Sequence, residues 1–120
     1  MLKIGQSASV TRSYSPAALE GFAELGGSEI PVSIPEPLIA ALFSYLLGVK
    51  LPGPGTNYLK QELKFLVPAS LQTELTARVE ITKLRPEKHL VDLWATCTDA
   101  DGVLVCEGRS LVKVRDVQLG

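Results

Sequence analysis

Residues 36–47 read EPLIAALFSYLL, an almost wholly apolar run that ends at Gly48. A helix over this stretch carries apolar side chains on nearly every face, so it must be buried on nearly every face. Gly48 stands where a left-handed C-terminal cap is expected. The chain has 120 residues, a length that fits one domain near the low end of sizes able to bury a self-sufficient core. In so small a unit, such a helix calls for a curved sheet around it.

The rest of the chain supplies the strands. Residues 5–14 alternate Ala8 and Val10 against Ser9 and Thr11, which predicts a first strand. Ser15 and Pro16 then open a short helix through about Leu25, closed by Gly26 and Gly27. Pro31, Pro35 and Pro37 keep residues 28–37 out of regular structure. After the turn-forming LPGPGT at residues 51–56, residues 58–67 predict a second strand. Its expected faces are Leu59, Leu63, Phe65 and Val67 against Tyr58, Lys60, Glu62 and Lys64. Leu75, Ala77, Val79 and Ile81 alternate with polar residues in a third. A tight turn at residues 85–88 leads to a hairpin of residues 90–98 and 103–114 about Asp99 to Gly102. Short turns between consecutive strands favour a meander or near-meander. The expected architecture is α+β: a five-stranded antiparallel sheet wrapped around one long buried helix, as a single domain over residues 1–120. Its unpaired sheet edges favour dimerisation.

Charge narrows the partners. Twelve Lys and Arg against thirteen Asp and Glu give a formal net charge of −1, with the cations scattered singly. Neither a nucleic-acid backbone nor an anionic membrane is held without a concentrated positive field. The start MLKIGQSASV lacks a signal-peptide core, and no apolar run approaches a bilayer span, so a cytoplasmic location is expected. Cys97 and Cys106 flank a turn without any Cys/His cluster and read as buried free thiols. A closed zinc site wants four ligands, and one His with two isolated Cys does not supply them, so no metal and no cofactor is expected.

The stretch LFSYLLGVKLPGPGTNYLKQELKF, residues 42–65, closely resembles the central helix, loop and second strand of MaoC-like (R)-specific enoyl-CoA hydratases, which have the hot-dog fold. The resemblance continues more weakly through residues 67–97 and ends on GRSLVKV. With IGQSASVTRSYS and AALEGFAEL it covers about four-fifths of the chain. It implies a scaffold for acyl-CoA or similar thioesters and a dimer. Such families add water across a trans-2-enoyl thioester with an Asp and a His that hold the water between them. A helix amino terminus or backbone N–H polarises the thioester carbonyl.

That dyad lies in a pattern resembling Leu-Ser-x-Asp-x-Asn-Pro-x-His. Where it should begin, at Leu25, this chain reads LGGSEIPVSIPEP, with no Asp, no Asn-Pro and no His. Pro35 and Glu36 stand roughly where the family has His-Gly. Hydration by the usual dyad is excluded unless a second chain supplies the groups.

Ser44 matches a family serine that orients the missing carboxylate; without that partner it reads as a hydroxyl bonded back to the helix. Glu36 is the one candidate catalytic residue, since some hot-dog thioesterases place a carboxylate near the start of the central helix. An acid in a first helical turn is also ordinary dipole chemistry. His89, the single histidine, reads as a surface strand residue, and Trp94 and Tyr45 as core or interface aromatics. Gly53, Gly55, Thr56, Asn57 and Tyr58 match the loop and strand that border the family's acyl tunnel, and glycine permits close backbone approach. The expectation is a hydratase-like homodimer that binds an acyl-CoA without the standard chemistry. Two alternatives stand beside it: a supporting subunit paired with a catalytic hot-dog chain, and an enzyme using Glu36 or another unrecognised base.

Overall fold

A computed structural model describes residues 2–14, 34–69 and 74–114. The short helix expected from Pro16, and the proline-rich segment as far as residue 33, lie outside these residues. Among the described residues are five strands: β1 (Ser7–Arg12), β2 (Thr56–Phe65), β3 (Leu75–Arg85), β4 (Leu90–Thr98) and β5 (Leu104–Val114). The helix α1 (Glu36–Tyr45) runs on into a wider π-type turn over Leu46–Lys50. No helix among the described residues is long and apolar enough to cross a membrane.

The strands form one antiparallel sheet in the order β1-β3-β4-β5-β2. The β3-β4-β5 portion is the expected meander. β2 departs from it, pairing with β5 from Thr56↔Val114 to Phe65↔Cys106 instead of with β3. The place beside β3 is taken by β1, from Ser7↔Glu80 to Arg12↔Leu75. With β1 and β2 at opposite edges, the sheet can close around α1 from both sides.

Alternation decides which face meets the helix. Leu75, Ala77, Val79 and Ile81 of β3, Val91, Leu93, Ala95 and Cys97 of β4, and Cys106, Ser110, Val112 and Val114 of β5 are buried on the inner face. From α1 and its following turn, Ile39, Leu42, Phe43, Leu46 and Leu47 join them in one cluster. Fully burying a side chain such as Phe43 is worth about 1.5–3 kcal/mol. The other face of α1 is open in the isolated chain: Ala41 and Ser44 are exposed, and Tyr45 retains 38% of its surface. The small and apolar residues there give the sequence its all-round hydrophobic look, but the packed face is the one at Ile39, Phe43 and Leu46.

Both helix ends are set by backbone chemistry. Pro35, extended at φ −60° and ψ 138°, is the N-cap, and its carbonyl accepts from Leu38 N at 3.0 Å and Ile39 N at 3.4 Å. At the other end, the expected left-handed cap at Gly48 is absent. The chain continues through Gly48 to Lys50 because Leu51 N reaches back to Leu46 O at 2.8 Å and Gly53 N to Leu47 O at 3.0 Å. The positive φ belongs to Gly53, at 97°. Contacts from β1 and the residues just after it fix this unit: Lys50 Nζ donates to Ser9 O at 3.2 Å, Tyr14 Oη to Leu38 O at 3.4 Å, and Arg12 stacks 5.6 Å from the Tyr45 ring centre.

Strand β2 carries a bulge that the sequence pattern does not show. Its register steps from Tyr58↔Val112 to Lys60↔Leu111, which leaves Leu59 unpaired. Every residue before the bulge therefore changes face relative to those after it. Tyr58 lies on the inner face with Gln61, Leu63 and Phe65, while Leu59 is 52% exposed. The expected faces of β2 are corrected at those two positions.

Candidate functional site

The loop between α1 and β2 is held rigidly by its own backbone. Gly53 and Gly55 adopt φ of 97° and 91°, the left-handed region that glycine tolerates without strain. Thr56 Oγ1 donates to Gly53 O at 2.6 Å and closes the turn. Asn57 follows, exposed and opposite Lys113, and then Tyr58 turns inward. The structure thus brings Gly53, Gly55, Thr56 and Tyr58 together at the end of α1.

Tyr58 does not stand alone. Its hydroxyl lies 3.4 Å from that of Ser110, a fully buried residue of β5. Burial pushes the Tyr58 phenol above its ordinary pKa, and the Ser110 hydrogen bond opposes this. Gln61 sits directly opposite Ser110 in the register, with a buried Nε2 that has no hydrogen-bond partner. Gln61 and Ser110 were not singled out from sequence. Polar residues on an otherwise apolar inner face were the available signal, but the unseen bulge hid that Tyr58 and Gln61 share that face.

Ser44 is exposed on the open face of α1. Glu36 lies eight residues before it, about 12 Å along the helix axis at 1.5 Å per residue. Glu36 instead lines a cavity of about 240 Å³ with Ile34, Ile39, Phe65, Val67 and Ala69. Glu36 and the glycine loop therefore occupy opposite ends of the helix. Burial raises the Cys106 thiol to about 11, and the negative charges of Glu36 and Glu107 push in the same direction. Cys97 is pushed up to about 12, chiefly by burial and then by Cys106. Both thiols are free and buried, as expected from the sequence.

The remaining candidates point elsewhere. His89 is the left-handed residue, φ 57°, that ends the turn between β3 and β4, and its carbonyl accepts from Val114 N at 2.9 Å. Trp94, opposite Arg109 on the outer face and 43% exposed, is not a core aromatic of the chain. Asp92, also on the outer face, is only 3% exposed. Its Oδ1 accepts from Arg109 Nε at 2.8 Å and from Arg109 Nη2, while Oδ2 lies 3.2 Å from Arg85 Nη2. That last contact is an ion pair without hydrogen-bond alignment, which leaves Oδ2 without a hydrogen-bond donor and Arg85 Nε without an acceptor. This buried carboxylate between two arginines was likewise missed from sequence, where Asp92 is one acid in a strand.

No protein-family model matches the chain. It is 37% identical to an (R)-specific enoyl-CoA hydratase of Rhodospirillum rubrum, over 94% of this chain and 88% of the relative. It is 33% identical to the (R)-specific enoyl-CoA hydratase of Aeromonas caviae, over 94% of this chain and 96% of that protein. Among solved structures, the A. caviae (R)-hydratase involved in PHA biosynthesis superposes with a TM-score of 0.88, over 95% of this chain and 98% of that one at 32% identity. The unliganded R-hydratase PhaJ1 of Pseudomonas aeruginosa gives 0.87 at 28% identity, over 99% of this chain and 88% of that one. A curved antiparallel sheet around α1, joined to a rigid glycine loop and matched at this identity over nearly its whole length, makes the chain a member of the hot-dog family of (R)-specific enoyl-CoA hydratases.

Proposed function

We propose that the protein binds an acyl-CoA or related thioester on this hydratase scaffold without the hydration chemistry of the Asp/His dyad. The observation that carries the reading is the placement of its first Asp and single His. No Asp precedes Asp92 and no His other than His89 is present. Asp92 is locked between arginines on the face away from α1, and His89 is in an exposed turn. Neither can hold a water beside a thioester at the helix, which general acid–base hydration requires. The match to the R. rubrum relative supports a shortened segment: it spans 128 residues but takes in 94% of this 120-residue chain, so about fifteen positions lack a counterpart here.

The ligand site comprises Gly53, Gly55, Thr56, Asn57 and Tyr58, with Ser44 on the adjoining helix face. The exposed helix face at Ala41, Ser44 and Tyr45 and the edge of β2, unpaired among the described residues, support dimerisation there, with a second copy or with a catalytic hot-dog chain. Calorimetry with a panel of acyl-CoAs, run beside a crotonyl-CoA hydration assay, tests the reading. Saturable heat with at least one chain length and no hydration above the uncatalysed rate is expected. Turnover by the isolated chain, or silence with every acyl-CoA, overturns it.

A thioesterase using Glu36 is the second reading, favoured by the position of that carboxylate as the one ionisable side chain lining its cavity. It requires thioester hydrolysis by the wild type that Glu36→Gln abolishes. Hydrolysis that is absent, or unchanged by the substitution, removes it.

A further inference from the structure

The outer face of the sheet, turned away from α1, takes no part in the proposed thioester binding. At its centre is Trp94, the chain's single tryptophan, which keeps 43% of its surface exposed. Two rows of side chains cross that face and are fixed by the register. One runs Glu80, Trp94, Arg109 over β3, β4 and β5, and the next runs Arg78, Thr96, Glu107. The ends of each row carry opposite charges, and the order of signs reverses from one row to the next. Arg78 and Glu80 are bonded to each other at 2.7 Å, yet their side chains stay 48% and 38% exposed, and Arg109, bonded to Asp92, stays 42% exposed. These charges therefore have room for a second partner. Beside Trp94, toward β2, lies an open cavity of about 230 Å³ bordered by Lys64, Glu107 and Arg109.

From this pattern we infer that the outer face docks a second copy of the chain, about a two-fold axis running close to the direction of β4. Two sheets packed face to face lie about 10 Å apart with their strands within about 30° of each other. A two-fold axis through Trp94 meets that condition either across the strands or along them. Across the strands, it sets Arg109 against Arg109 and Glu80 against Glu80, and like charges in apposition repel. Along β4, it exchanges β3 with β5. Arg109 then faces the partner's Glu80, Glu107 faces the partner's Arg78, and symmetry makes each contact twice. The two indoles meet at the centre, each beside a cavity of the other copy, where Trp and Arg concentrate binding energy. Three strands about 4.8 Å apart and about 30 Å long offer about 430 Å² per copy, or about 860 Å² in all. That lies below the about 1,200 Å² of a standard interface, so the association is weak and concentration-dependent. It is separate from the dimer proposed at the edge of β2 and needs no ligand.

Sedimentation velocity of the wild-type chain from about 1 to about 200 μM is expected to show the dilute species doubling in mass. Over the same range the emission of Trp94, the only indole in the chain, is expected to shift to the blue as the ring leaves water. Arg78→Glu and Glu107→Arg each create two like-charge contacts across the interface, and each is expected to weaken the doubling at least about tenfold. The chain carrying both restores opposite charges and is expected to return to within about threefold of the wild type. Trp94→Ala is expected to weaken it about thirtyfold. All these side chains are at the surface, and thermal melts check that each variant folds. A constant mass, a doubling without an emission shift, or single reversals that associate like the wild type overturns the inference. So does a doubly exchanged chain that melts normally and stays dissociated. If a variant melts early, the wild-type mass and emission decide. Silence with every acyl-CoA would remove the proposed function and leave this contact standing.

Discussion

Gly108 is the residue on which the closure of the sheet over the helix depends. A Cβ built there would overlap the carbonyl oxygen of Glu62 outright and sit 2.8 Å from both the Glu62 carbonyl carbon and Leu63 Cα. The Glu62 oxygen would lie only 1.8 Å away, and since heavy atoms rest comfortably at about 3.5 Å, β2 would have to retreat by about 1.5 Å. All three obstructing atoms are backbone, and no side-chain rotation relieves them. Overpacking of this kind costs about 1–3 kcal/mol, and each ladder hydrogen bond lost as β2 moves costs about 1 kcal/mol more. Against this, alanine lowers the entropy of the unfolded chain, which returns about 0.4–1 kcal/mol. Gly108→Ala is therefore expected to destabilise by about 2–4 kcal/mol in urea unfolding. Gly48→Ala is the matched control. Nothing lies within 4 Å of its added methyl and its φ is not positive, so it is expected to stabilise by about 0.5–1 kcal/mol. If the two variants unfold within about 0.5 kcal/mol of each other, β2 is not held against β5 at Gly108. The account of how the glycine loop and Tyr58 are positioned would go with it.

Asp92→Asn leaves Arg109 and Arg85 facing a neutral amide. Both arginines are partly solvent-exposed, at 42% and 32% of their side chains, which screens the loss, so a destabilisation of about 1–3 kcal/mol is expected in urea melts. Unchanged stability would show that the arginines hold β4 and β5 by packing alone. For the thiols, the folded values of about 12 and 11 lie above the ordinary value of 9.0. The neutral forms are thus favoured by the fold, and that contribution is complete below pH about 9 and lost as pH rises toward 11–12. The Tyr58 and Tyr14 phenols, also raised chiefly by burial, act in the same direction. Thermal melts should fall across this alkaline window, less so in a Cys97→Ala, Cys106→Ala double variant; equal slopes would refute the thiol contribution. At pH 8, labelling of the native protein by a disulfide reagent should be slow and become rapid in urea. Fast native labelling would mean that the β4-β5 core opens readily.

How much of this was legible depends on whether one residue's neighbours in sequence are also its neighbours in space. The helix at residues 36–47 and the strands β3, β4 and β5 follow from local patterns, because Leu75 to Ile81 alternate against a single buried face and Asp99 to Gly102 form their own turn. There, Asp99 Oδ1 accepts from Asp101 N and Val103 N, each at 2.9 Å. The Gly48 cap failed for a different reason. A glycine after an apolar helix predicts a stop, but the Leu51 and Gly53 amides found the last helix carbonyls and carried the turn further. Pairing of β2 with β5 is a long-range choice, since a strand of alternating residues does not name its partner. The bulge at Leu59 is the most consequential gap, because TNYLKQELKF alternates acceptably in either register. Reading it as unbroken put Tyr58 outside and left Gln61 without company. Only the pairing of both with β5 shows that a tyrosine, a glutamine and a serine from two strands share one buried surface beside the glycine loop. The sequence resemblance located the loop, and residues 25–37 hold neither the Asp nor the His that the resemblance leads one to expect.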